Sequence, residues 1–213
     1  MPIHSISTGP HPWTFRLVTD ARVLGQLTES IRYEREVVSP LLLRMTGDGD
    51  MLQLIDGGLR LRAALQCRME DVPAAIVHVA ANEAACRAIR AQRTGGAPWY
   101  PLEIAWSIVA VRRLYAANGS NVSIYHLRSL YQRSQAYLYQ HQAIGLAFPR
   151  TSLQECAERW RGEGLPLDET EVARLPVGLL SSLAKITDPE ERQRRLCTAA
   201  LDSLQRRLQD LSA

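Results

Sequence analysis

Residues 55–66 read Ile-Asp-Gly-Gly-Leu-Arg-Leu-Arg-Ala-Ala-Leu-Gln, an apolar run that halts at two glycines and resumes as a helix-forming run. Glycine after a strand lets the backbone approach an anion closely, and the first amides of the following helix point at it. On that reading Gly57 and Gly58 form a phosphate-holding turn, and Arg60 and Arg62 supply charge-assisted partners. The same residues also make an ordinary sharp joint between strand and helix, with Arg62 on a solvated face. The pattern alone leaves both open.

Outward from the turn, the hydrophobic pattern alternates between the two periods. "FRLVT" (15–19), "VSPLLLRM" (38–45) and "DMLQLID" (50–56) read as strands, with the helical spacing of Val23, Leu24, Leu27 and Ile31 between the first two. After the glycines come a helix over 59–69, a strand in "PAAIVHVA" (73–80), and a helix over 82–93 with Asn82 as its N-cap. The order β-α-β-β-α-β-α defines an α+β chain whose small mixed α/β domain occupies residues 1–97. "TGGAPWYP" (94–101) breaks the pattern, and everything beyond it reads as helix.

Charge is unevenly spread. Residues 100–150 carry five arginines against one acid, Glu103, although the whole chain has a net charge of only +3. Such an island suits a polyanion, since each phosphate neutralised releases condensed counterions. It also fits a chance excess on a solvated surface. Within the island, Ser123 caps a helix through Ile124, Leu127 and Leu130, "QRS" turns, and Ser134 caps a second helix to about Ile144, where Gly145 gives a stop. Ala136, Tyr137 and Leu138 are expected to pack inward at least in part. Gln135, Tyr139, Gln140 and Gln142 are left for an outer face. Glutamine pairs in two-point fashion with adenine in the major groove, and Arg128 and Arg133 would contact phosphates. The alternative is a plain helical hairpin with its glutamines in water.

The remaining composition narrows the class. Apolar residues at 46% and charged residues at 22% of 213 are globular proportions. Cys67, Cys86, Cys156 and Cys197 form no CxxC pair, which favours free thiols over zinc or bridges. No histidine pair has metal-ligand spacing, and no apolar run reaches membrane-spanning length. A soluble cytoplasmic protein is expected. Asp188-Pro189-Glu190-Glu191 opens a last helix, on which Cys197, Leu201, Leu204, Leu208 and Leu211 make a narrow stripe. That stripe suits a partner helix or the chain's own core equally well.

Several of these segments together resemble the ParB family. "LTESIRYEREVVSPLLLR" (27–44), the strand, "GGLRLRAA" (57–64), "YPLEIAWSI" (100–108) and "VSIYHLRSLYQRSQAYLYQHQ" (122–142) are similar to its motifs in order and spacing, and "LLSSLAKITDPEER" (179–192) more loosely so. The resemblance covers residues 14–195. It implies a ParB/sulfiredoxin-like fold over 1–97, a helix-turn-helix DNA-binding domain over 98–150, and a C-terminal helical region over 151–213. It further implies CTP as the ligand of Gly57, Gly58, Arg60, Arg62 and Arg93, and double-stranded DNA as the partner of Arg128, Arg133, Ser134, Gln135, Tyr139 and Gln140. A homodimer associated with nucleoid or plasmid follows in the same way.

The departures from the family pattern bear on chemistry. Gly58 stands where the family has glutamate and Leu59 where it has arginine. Ala91 stands where a carboxylate would serve magnesium, so no metal and no catalytic residue are expected. Leu59 also replaces the cysteine of the sulfiredoxin branch, which removes that chemistry. Arg128 falls where the family prefers a small residue at the helix crossing. The partner ATPase of classical partition has no matching segment here. Three readings follow: a ParB-like DNA-binding regulator or partition factor, a nucleotide hydrolase or nuclease of the ParB-like type, and a protein–protein adaptor. Against the second, Asp48, Asp50 and Asp56 are the only group of acids near the turn.

Overall fold

The computed structural model describes residues 1–9, 11–16, 21–46, 51–94 and 99–212, with the side chains of 211 and 212 excepted. The chain divides into two compact units. One comprises Met1–Thr14, Thr19–Ala97 and Arg113–Asn121; the other comprises Phe15–Val18, Pro98–Arg112 and Val122–Ala213.

The first unit holds strands β1 (Ile6–Ser7), β2 (Leu41–Met45), β3 (Leu52–Asp56) and β4 (Ala74–Val77), with helices α1 (Ala21–Glu34), α2 (Gly58–Gln66) and α3 (Ala81–Thr94). The sheet order is β1-β3-β2-β4. β3 runs antiparallel to β2 and parallel to β1, and β2 runs parallel to β4. The alternation of β2 turns Leu41 and Leu43 into the core, where Ile31 of α1 and Leu61, Ala63 and Ala64 of α2 meet them. Ala63 and Ala64 are fully buried, and their small side chains let α1 lie close against α2. There Thr28 Oγ1 lies within hydrogen-bonding distance of both the Leu24 carbonyl oxygen, at 2.8 Å, and the Gln66 side-chain amide, at 2.9 Å.

Three local expectations need correction. Thr14–Arg16 form no strand, and residues 17–19 lie outside the described residues. The edge beside β3 is instead taken by Ile6–Ser7, too short to announce itself by alternation. α2 ends at Gln66 rather than near Met69, because Arg68 turns left-handed at φ 56°. Asn82 lies inside α3 rather than capping it, and its Oδ1 accepts a hydrogen bond from Asn118 at 3.0 Å.

The helices α4 (Pro101–Ala117), α5 (Ile124–Tyr131), α6 (Gln135–Ala147), α7 (Arg150–Gly162), α8 (Glu169–Ala173), α9 (Val177–Leu183) and α10 (Pro189–Ser212) follow, and no strand occurs among the described residues beyond 77. A continuous core runs through much of the second unit. Leu102, Ala105 and Trp106 of α4 and Ile144 of α6 share it with Leu153, Cys156 and Trp160 of α7, Leu180 of α9, and Leu196 and Ala200 of α10. Of the leucine stripe on α10, Cys197, Leu201 and Leu204 pack against this core, Leu208 is exposed, and the Leu211 side chain lies outside the described residues. No helix among the described residues is long and apolar enough to cross a membrane.

Candidate nucleic-acid interface and glycine turn

Gly57 is the N-cap of α2 and sits left-handed at φ 101°. A Cβ there would fall 2.5 Å from Leu41 Cδ2 and 3.1 Å from an Arg60 guanidinium nitrogen. Glycine is therefore required for conformation and for space together. The amides of the first turn of α2 have no carbonyl within the helix to meet, so the turn presents donors at a positive helix end. Arg60 is turned back onto this turn. It pairs with Asp56 Oδ2 at 3.1 Å and reaches the Pro40 carbonyl at 3.4 Å. Arg62, two residues on, diverges from Arg60 by about 200° around the helix and is exposed. The two arginines therefore do not close on the turn as one clamp. Arg93 is exposed in the last turn of α3, and Ala91 two residues before it brings no oxygen. The donor set fits an anion at the backbone of the turn and does not fit a divalent metal at Ala91.

The second candidate is the α5–α6 pair. Ser123 caps α5 by accepting the His126 amide at 3.1 Å, and Ser134 caps α6 by accepting the Tyr137 amide at 3.2 Å. Each cap stabilises its helix by about 1 kcal/mol. Between the helices, Gln132 adopts φ 50°, and Gln132–Ser134 complete the turn. Leu127, Leu130, Leu138 and Ile144 are buried and set the packing of the pair. Arg128 is exposed rather than at the helix crossing, so its bulk is no obstacle there. Gln135 and Tyr139 are exposed as expected, whereas Gln140 and Gln142 are half-buried. Ala136, expected to pack inward, is exposed instead. Arg133 is exposed, and its guanidinium lies 5.5 Å from the Tyr137 ring centroid.

Gly145 does not stop α6, which runs on to Ala147. A Cβ at Gly145 would lie 2.6 Å from the Ala105 carbonyl oxygen, so this glycine marks a close approach of α6 to α4. The same contact is held by Trp106 Nε1 donating to the Phe148 carbonyl at 2.7 Å. The hydroxyls of Ser107 and Tyr131 are 2.7 Å apart and tie α4 to α5. At the start of α4, Pro101 occupies the first helical position. The fully buried Glu103 accepts the Tyr100 amide at 3.1 Å, the reciprocal half of a capping box. Arg16 approaches the same carboxylate at 3.7 Å. Burial pulls the Arg16 pKa below its ordinary value, and the Glu103 charge pulls it partly back.

Within α6, the buried His141 donates from Nδ1 to the Tyr137 carbonyl at 2.9 Å, and the two rings stack 4.0 Å apart. Burial lowers the His141 pKa below its ordinary 6.5, the Tyr137 carbonyl opposes the shift, and the Arg133 charge adds to it. A histidine depressed in the folded state contributes its stability fully above the ordinary value. That contribution fades as pH falls through 6.5 toward the lower folded value. Denaturant unfolding on either side of this window is expected to show an acid-side loss that is reduced in His141→Gln. An identical loss in the variant would assign it to other groups.

The described residues thus set a glycine-elbowed strand-to-helix turn in a small mixed sheet ahead of a helical unit with a capped helix pair. The family described as ParB N-terminal domain matches residues 1–92. The chromosome-partitioning protein Spo0J of Thermus thermophilus is 36% identical over 84 residues, which cover 39% of this chain and 29% of that protein. Residues 1–92 are thus similar to the ParB N-terminal domain. The matched segment spans less than a third of that relative's length.

Solved structures show wider but fainter likeness. The C-terminally truncated ParB of Caulobacter crescentus complexed to the centromeric parS site is 17% identical at TM-score 0.49, covering 95% of this chain and 94% of that one. The same protein complexed with CTP-γ-S is 20% identical at TM-score 0.37, covering 92% and 96%. A Pnob8-like ParB-N domain is 14% identical at TM-score 0.44, covering 97% and 95%.

Proposed function

We propose that this chain is a DNA-binding protein of ParB type, acting in partition or regulation in the cytoplasm as a homodimer, with duplex DNA on the α5–α6 pair. The observation that carries the reading is the pair itself: two serine-capped helices joined at Gln132–Ser134, with Arg128 and Arg133 exposed around an uncharged outer face. Residues 104–154 contain five arginines and no acid, so nothing on these helices repels phosphate. In this reading Arg128 and Arg133 contact phosphates, Ser134 orients the start of α6, and Gln135, Tyr139 and Gln140 approach the bases. The match of residues 1–92 to the ParB N-terminal domain, and the chromosome-partitioning role named for the Thermus relative, support the same setting.

Titration with duplex DNA at a series of salt concentrations tests this. Arg128→Ala and Arg133→Ala are each expected to weaken binding to all sequences alike. Each should also reduce the slope of log affinity against log salt by about one unit. Unchanged slopes in both variants would remove α5–α6 as the DNA site.

The turn at Gly57 and Gly58 is proposed as the site of a nucleotide phosphate, CTP by likeness to the ParB N-terminal domain, with Arg60 as its closest cation and Arg62 and Arg93 outside it. No catalytic role is assigned, since Ala91 offers no metal ligand. Calorimetry with CTP, ATP and GTP is expected to show weak binding that Arg60→Ala abolishes. Binding that survives Arg60→Ala would put the site elsewhere. One observation favours the adaptor reading for this unit: Arg60 already spends its charge on Asp56. An absence of binding by all three nucleotides would favour it further.

A further inference from the structure

We infer that α6 is built to read A·T base pairs, with Gln135 and Gln142 directed to adenine and Tyr139 and Ala136 to the thymine methyl group. This rests on the DNA-binding reading above. The residues of α6, Gln135–Ala147, include no arginine, lysine, aspartate or glutamate. Guanine is most often recognised by arginine or lysine at O6 and N7, and cytosine N4 by a carboxylate. α6 has neither group to offer. What it has are side-chain amides, which match adenine N6 and N7, and exposed apolar groups, which match the C5 methyl of thymine.

The helical geometry gathers these groups on one side. Counting about 100° per residue from Gln135, Tyr139 lies at about 40°, Ala136 at about 100° and Gln142 at about −20°. Leu146, at about 20°, extends the same face. Gln140 falls at about 140°, at the edge of this face, where it reaches only a flanking base. Tyr139 is 49% exposed and Leu146 55% exposed, so the face has an apolar strip that the chain itself does not cover. The surroundings fix the occupant. Exposed Arg133 precedes the Ser134 cap of the helix, exposed Arg128 lies on α5, and residues 104–154 carry no acid. An uncharged strip beside arginines complements the floor of a groove between phosphate strands.

Selection of the full chain on randomised duplexes at low salt is expected to enrich A·T pairs at the positions α6 contacts. In the enriched duplex, replacing single thymines by uracil removes only the C5 methyl. One such replacement should weaken binding by about fourfold, the worth of one buried methyl. At the thymine that Tyr139 meets, Tyr139→Ala should bind the thymine and uracil duplexes equally. The exposure of Tyr139 keeps that variant folded. Enrichment of G·C pairs, or indifference of the unaltered protein to every uracil, overturns the inference while salt-dependent duplex binding stands. No binding to any duplex at low salt overturns it together with the DNA-binding reading.

Discussion

Gly145→Ala should lower the thermal midpoint of the protein, although alanine is the better helix former. Propensity alone would favour alanine inside a helix by about 1 kcal/mol. Packing opposes it, because the new methyl would sit 2.6 Å from the Ala105 carbonyl oxygen and 2.9 Å from Val109 Cγ2. Ordinary contact begins at about 3.4 Å, so α4 and α6 must part by roughly 0.8 Å. That movement strains the Trp106 bond to the Phe148 carbonyl. Overpacking against backbone costs about 3 kcal/mol, at the upper end of its usual range, leaving a net loss of about 2 kcal/mol. For a chain of this size that is a fall of roughly 4–8 °C. Gly25→Ala supplies the control, since nothing lies within 4 Å of a Cβ there and Gly25 is inside α1. It should raise stability by up to about 1 kcal/mol. Equal signs for the two substitutions would show that α4 and α6 are not held at this spacing.

Glu103→Ala should destabilise by about 3 kcal/mol, the cost of leaving the half-buried Arg16 and the Tyr100 amide without their buried carboxylate. The carboxylate is fully buried, caps the Tyr100 amide at 3.1 Å, and faces Arg16 at 3.7 Å. Glu103→Gln keeps a carbonyl oxygen for the amide and loses the charge. It should therefore recover part of the loss, which equilibrium unfolding would separate. A glutamine variant no better than alanine would mean that the charge carries the whole effect and the cap none.

The sequence spoke clearest where its periods were long or its caps were serine. β2, β3, β4 and the two serine caps stand where the alternation and the Ser123 and Ser134 spacing put them. β1 was invisible, because two residues carry no period and its pairing with β3 is settled by tertiary contact. Gly145 read as a stop because a glycine after a helical run has the same letter whether it ends a helix or admits a neighbour. In the candidate sites, the glycine turn was legible but the engagement of Arg60 with Asp56 was not. Side chains four apart on α2 and the end of β3 meet only once the turn is folded. The Pro101–Glu103 segment was noticed for its likeness to a family motif, and its physical reason, a buried capping box, emerged from the fold.

Arg192 sets a rule for anyone wishing to cut this protein down. Its guanidinium donates to the Ala147 carbonyl at 3.0 Å and twice to the Ile186 carbonyl, at 2.9 and 2.6 Å. The last turn of α6 is thus tethered by a residue forty-five positions downstream. A fragment ending soon after α6 would keep every group proposed to touch DNA yet lose that tether and most of the shared core. The smallest piece worth expressing for binding studies therefore extends through Leu204, the last residue of α10 packed on this core among the described residues.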